Sequence, residues 1–194
     1  IYQDYKGQIK INGKDAKDIP FTDRIKLFGW VPQDNFLFST SIKDNILLGQ
    51  KSSDGDYAKY GEIAGLKSDI AGFPQGYDSL LGERGINLSG GQKQRVSIAR
   101  GLMANTPVLI FDDSFSSLDA QTENILLNNL SKIRKDKINI IISHRLSTLQ
   151  DSDIIFVLKD GKIIEQGKHF ELLLKKGYYA MTFKEQETAL EIEA

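Results

Sequence analysis

The 194 residues contain no cysteine. That excludes a disulfide framework and thiol catalysis, and it fits a reducing compartment. No apolar run approaches the roughly 20 residues that a membrane-spanning helix needs, and no secretory leader is recognisable. A membrane role would therefore come through a partner or another part of the protein. An excess of either charge is also missing. The 25 Lys and Arg against 26 Asp and Glu leave a net charge of −1, so there is no global pull toward nucleic acid or acidic lipid. There are only two histidines, no internal repeat and no low-complexity segment. What is present is ordinary for a globular domain, with 40% hydrophobic and 26% charged residues and enough length for a sizeable core.

Gly7–Ile11 alternates like a half-buried strand, and Asn12-Gly13 is a turn signal. Asp18–Phe21 reads as a loop leading to a short polar helix, and Leu27–Val31 as a strand ended by Pro32-Gln33. The character changes near Asn35. Ser41 is placed to cap a helix over 42–48, residues near Asp56 to open a second toward Ala64, and Ser68 to cap a third. Val108–Phe111, Ile138–Ile142 and Ile154–Leu158 are nearly continuous apolar runs, the pattern of parallel strands buried on both faces. Between the first two lies a helical segment with Leu126, Leu130 and Ile133 on one side. The alternation predicts an α/β fold. Asp160-Gly161 predicts a two-residue hairpin turn. Phe170, Leu173 and Leu174 predict a short amphipathic helix, and the tail from Tyr178 is helical in propensity. The expected organisation is a core portion over 1–34, a helical lobe over 35–104, and a second α/β portion with its tail over 105–194.

One stretch organises the rest. In Gly82–Arg95, Ser89 is a good N-cap, Gly90 and Gly91 leave room for close approach, and Val96, Ala99, Leu102 and Met103 continue at helical spacing. The first N–H groups of a helix lack partners within it and carry partial positive charge, which suits a phosphate oxygen. A plain capped helix would show the same Ser-Gly-Gly. Asp112 follows the run Val108–Phe111, where α/β proteins place ligand-binding carboxylates. His144 follows the run 138–143. Gln33 follows Trp30-Val31-Pro32. Asp119 is an N-cap candidate for the helix after it. Taken singly, each has a bland reading as a cap, a turn residue or a surface group.

Taken together they carry a resemblance. Leu88–Gln92 matches, as it stands, the signature motif of the ATP-binding domains of ABC transporters, and Gly82–Gly85 resembles the loop before it in export-type members. The resemblance implies a three-layer P-loop NTPase core of ABC type with an inserted helical lobe. It implies ATP and Mg2+, with Asp112 and Gln33 toward the metal. It assigns Asp113, His144 and Gln33 to the catalytic side, and Ser89, Gly90, Gly91, Gln92 and Asp119 to the nucleotide of an opposing domain across a dimer interface. Glu83 and Arg84 are similar to the pair that contacts membrane-facing elements. The implied partners are a transmembrane domain and a second nucleotide-binding domain, identical or not, and no nucleic acid. The implied place is the cytoplasmic face of the cell membrane. His169, before a helix, is expected to be structural or solvent-facing.

Two departures matter. The family's competent sites usually carry glutamate where Asp113 stands. Aspartate is one methylene shorter, roughly 1.5 Å of reach, so this half-site is expected to be weakly hydrolytic or non-hydrolytic, as in the degenerate half of heterodimeric exporters; the competing expectation is that Asp113 hydrolyses slowly but adequately. The phosphate-cradling G-x-x-x-x-G-K-[ST] is also absent, since Lys14, Lys162 and Lys168 follow glycines without the rest of the pattern. This predicts a domain incomplete at its amino end, inactive and weakly nucleotide-binding by itself. The rival readings are a soluble ABC ATPase acting on DNA or ribosomes and a non-catalytic remnant. The compact, heptad-free stretch from Gln33 to Ser89 speaks against the chromosome-acting members.

Overall fold

The computed structural model describes residues 5–48, 50, 55–83 and 87–193, with side chains described through 189. β1 (Lys10–Ile11) and β2 (Lys14–Asp15) form a small hairpin over Asn12 and Gly13, both at positive φ. α1 (Phe21–Leu27) leads into β3 (Phe28–Val31). Three short helices follow: α2 (Ile42–Leu47), α3 (Asp56–Ile63) and α4 (Lys67–Gly72). The long helix α5 (Gly90–Met103) returns to β4 (Val108–Asp112), then α6 (Ala120–Ile133) and β5 (Ile138–Ile142). β6 (Ile155–Lys159), β7 (Lys162–Gly167), α7 (His169–Lys175) and α8 (Tyr178–Glu193) complete the order.

β3, β4 and β5 form a parallel sheet in the order β3-β4-β5, with Val31 opposite Phe111 and Asp112 opposite Ile142. The 3.6-residue stripe of α5 lies on the face that carries Val31, Leu109 and Phe111, all fully buried. The approach is close enough to exclude a side chain at Gly101, whose Cβ would sit 2.6 Å from Val31 Cγ2. The same core continues into α2 through Ile42 and Ile46 and into α6 through Leu126 and Leu130. Ser41 caps α2 as its sequence suggests, its Oγ accepting from Asp44 N at 3.0 Å.

Several expectations are corrected. The run at 154–158 is not a third parallel strand. β6 pairs antiparallel with β7 across Asp160-Gly161, both at positive φ, and the hairpin leaves Phe156 and Leu158 exposed. The two-residue turn forces that pairing, because an apolar run alone does not specify direction. β5 is apolar yet exposes Ile138, Ile140 and Ile142, so one sheet face is uncovered among the described residues, together with Phe28 and Trp30. Ser68 does not cap α4. The helix begins at Lys67 after Leu66, without a side-chain cap. Ile133 lies at the exposed end of its helical stripe while Leu126 and Leu130 are buried. In α7 the buried face is His169 and Leu172, and Phe170 and Leu174 point outward. His169, by contrast, takes the structural of its two expected places: it is buried, with Nδ1 2.9 Å from the Tyr179 hydroxyl. Burial also raises the Tyr179 hydroxyl above the usual tyrosine range. No helix among the described residues is long and apolar enough to cross a membrane.

Candidate functional site

Three parallel strands end side by side, and each delivers one polar side chain. Gln33 follows β3, Asp113 follows β4 and His144 follows β5. The Gln33 amide donates to Asp113 Oδ2 at 3.2 Å, and His144 Nδ1 lies 2.8 Å from Asp113 Oδ1. The carboxyl end of a parallel sheet is where α/β folds gather ligands. Asp113 sits at φ 47, a left-handed conformation that aspartate tolerates, and its N–H still bonds Ile142 O at 2.9 Å. Its side chain is 16% exposed against 65% for His144, so the carboxylate is held inside and the imidazole stands at the surface. An ionised Asp113 can only accept, so Nδ1 of His144 is the donor in this contact. Ser114 braces the turn by donating to Val31 O at 2.7 Å. Asp112 closes β4 beside this group.

Gln33 is steadied from α5. The loop after it is gripped by Arg100, which donates to Phe36 O at 2.9 Å and to Asn45 O at 2.8 Å. Asn45, fully buried, accepts from Phe38 N at 2.8 Å and donates to Phe38 O at 2.9 Å. Burial lowers the Arg100 guanidinium from its ordinary value.

The second feature is the start of α5. Ser89 Oγ accepts from Gln92 N at 3.2 Å, and Gln92 Oε1 accepts from Ser89 N at 2.9 Å, a capping box. The Gln92 amide also donates to Asp69 Oδ1 at 3.0 Å, and Arg95 donates to Asp69 Oδ2 at 2.7 Å. Gln92 is therefore engaged inside the chain, in fixing the helix start. Gly90 and Gly91 pack over Ser117, which belongs to the loop before α6. The Gln94 side chain, 1% exposed, accepts from Ser117 N at 2.9 Å and donates to Ser116 Oγ at 3.2 Å. Arg145, next to His144, holds the same loop from the other side through Ser116 O at 2.8 Å and Leu118 O at 2.9 Å, and pairs with buried Glu123 at 3.0 Å. Sequence reasoning missed Asp69, Gln94, Asn45, Arg100, Glu123 and Arg145. Arg84, Gly85 and Ile86 lie outside the described residues, so the loop expected there is described only at Glu83.

A match to known proteins decides the family. The ABC transporter model matches residues 1–116. The chain belongs to the ABC transporter family. It is 43% identical over 180 residues to multidrug export ATP-binding/permease proteins from Staphylococcus aureus strains bovine RF122 / ET3-1 and NCTC 8325 / PS 47, covering 92% of this chain and 31% of each relative. The fold superposes on a bacterial Atm1-family ABC exporter solved with ATP bound, with a TM-score of 0.90 and 42% identity over 94% of this chain and 32% of that one. The chain thus spans about a third of the length of the relatives it matches. The mixed α/β fold with a parallel sheet is that of the family's nucleotide-binding domain.

Within that ABC domain, Asp119 caps α6. Its carboxylate accepts from Thr122 N at 2.9 Å and from Thr122 Oγ1 at 2.7 Å, and these bonds hold its pKa below the usual carboxylate value. A depressed folded-state pKa gives stability that is present above the unfolded value, near 3.9, and lost as pH falls through the folded one. Denaturant midpoints measured from about pH 5 down to 2 should fall less steeply in Asp119→Asn than in the wild type. The exposed position makes the effect small.

Proposed function

We propose that this chain is the ATP-binding part of an export-type ABC transporter, coupling ATP binding and hydrolysis at a domain dimer to export across a membrane. The observation that carries the reading is the convergence of Gln33, Asp113 and His144 at the ends of three adjacent strands. Asp113 would orient an attacking water, and His144, as the imidazolium that donates from both ring nitrogens, would turn Nε2–H to the terminal phosphate. The capped start of α5 would offer Ser89, Gly90 and Gly91 to the nucleotide held mainly by the opposing domain, with Gln92 fixing the cap and Asp119 facing the interface.

Mg2+ suits the donors. Asp112 supplies a carboxylate, and with its amide nitrogen turned to Asp113, Gln33 keeps Oε1 for a hard cation that otherwise prefers water and phosphate oxygens. When bound, the ion would neutralise phosphate charge. No lysine-bearing phosphate loop occurs in these 194 residues, so the stretch alone is expected to be hydrolytically inactive. The exposed aromatic pair Phe36 and Phe38, packed edge to face just after Gln33, offers an apolar surface to a transmembrane partner. That partner would hold the domain at the cytoplasmic face of the membrane. Because Asp113 is short, we assign the slow site to this chain and the working site to a partner that borrows its Ser89 end.

Vanadate trapping of a photoreactive ATP on the assembled transporter tests this. Label should accumulate on the partner domain in a vanadate-dependent way. Trapping mainly on this chain would overturn the asymmetry, and no vanadate-dependent label on either would overturn the ATPase reading.

A further inference from the structure

We infer that Gln186, on the C-terminal helix, is the positioning residue that holds His144 in its working place. His144 is a surface residue beyond the end of a strand, and its ring is mostly exposed. Packing therefore does little to fix it, yet its 2.8 Å contact with Asp113 requires a defined backbone. The Gln186 side chain supplies one. Its amide donates to His144 O at 2.8 Å, and its Oε1 accepts from Leu146 N at 3.0 Å. One planar amide thus bonds both flanks of Arg145, much as a neighbouring strand would, 42 residues away in sequence.

The helix that carries this clamp is itself anchored. Glu165 on β7 accepts from Tyr178 N and from Tyr179 N at 3.1 Å, satisfying donors in the first turn of α8. Tyr179 and Phe183 are buried against His169. Gln186 stands seven residues beyond Tyr179 and three beyond Phe183, on the same face of the helix. The stripe that docks α8 therefore also aims Gln186 at residues 144–146. Arg145, between the two bonded groups, reaches the loop at Ser116 and Leu118. A shift of α8 would be felt first by His144 and then by the loop that supports Gly90 and Gly91.

This inference rests on His144 facing the terminal phosphate of ATP. That phosphate is the only part of ATP that ADP lacks, so the loss should appear as a weaker preference for ATP over ADP. In the full transporter, photolabelling of this chain by 8-azido-ATP would be competed with ATP or ADP. Backbone exchange at Leu146 would be followed by hydrogen–deuterium mass spectrometry. Gln186→Ala should lower the ATP preference about 5-fold, the worth of roughly one hydrogen bond, and speed Leu146 exchange. Gln186→Glu can still accept from Leu146 N but cannot donate to His144 O, so it should keep the exchange protection and lose the preference. Unchanged preference in both variants would overturn the positioning role, whether or not exchange changes. Lost preference with unchanged Leu146 exchange in the alanine variant would overturn the clamp. A wild-type assembly that binds no ATP would instead overturn the nucleotide reading, and this role with it, while Leu146 exchange would still report whether the clamp forms.

Discussion

Replacing Asp113 with glutamate in the assembled transporter is expected to raise ATP hydrolysis at this chain's own site by about 10- to 100-fold. The reason is reach. Asp113 already bonds Gln33 and His144 through its two oxygens, so its carboxylate is occupied by its neighbours at the strand ends. One more methylene carries the oxygens roughly 1.5 Å outward, toward where the attacking water of the proposed reaction would stand. A misplacement of about 1 Å is enough to cost on the order of 100-fold. The opposing effect is small by comparison. Position 113 sits at φ 47, and glutamate takes the left-handed region less readily than aspartate, at about 1 kcal/mol. That strain lowers folding stability without entering the chemical step. The measurement is ATP turnover with the partner's catalytic carboxylate neutralised, so that only this site is counted. An unchanged rate would mean that reach is not what limits this site.

The parts of the site that were legible in the sequence are those that end an element. Asp112, His144 and Gln33 each follow an apolar run, and Ser89 and Asp119 each open a helix, so punctuation marked their positions, while the roles expected of them came from the family resemblance. The residues that hold them in place were not legible, because their partners are far away in sequence. Gln94 bonds a loop 22 and 23 residues on, and Arg145 bonds back across 27 and 29. A weak signal existed for Gln94: it falls on the apolar stripe of α5 with Ile98 and Gly101, where a polar side chain must find a partner inside. The fold errors have the same origin. The runs at 138–142 and 154–158 look alike on paper. Only the Asp160-Gly161 turn separates a parallel sheet strand from a hairpin strand, and only packing shows that each has an exposed face. In α7, the hydrophobic residues Phe170 and Leu174 suggested the inner face. The buried His169–Tyr179 hydrogen bond turned the helix the other way.

The two glycines at the head of α5 should separate by substitution, because they answer to different neighbours. A Cβ on Gly91 would lie 3.1 Å from Ser117 O and 3.5 Å from Arg95 Nη1, and that carbonyl belongs to the loop gripped by Gln94 and Arg145, so it has little room to yield. Gly91→Val should therefore push the helix start off the loop. The expected cost is about 1–3 kcal/mol in stability and at least about 100-fold in transporter ATPase activity. At Gly90 the nearest atoms to a Cβ are Ser117 Cβ at 3.6 Å and Oγ at 3.7 Å, ordinary contact. Among the described residues nothing demands glycine there, and alanine is the better helix former by up to about 1 kcal/mol. Gly90→Ala should thus leave the melting temperature unchanged or slightly raised while ATP turnover in the assembled transporter still falls, because on the proposed reading the nucleotide of the opposing domain needs that space. Thermal unfolding beside steady-state ATPase assays reads both quantities. Full turnover in Gly90→Ala would mean that no ligand approaches this helix end closely, and the shared-site reading would fail at its narrowest point.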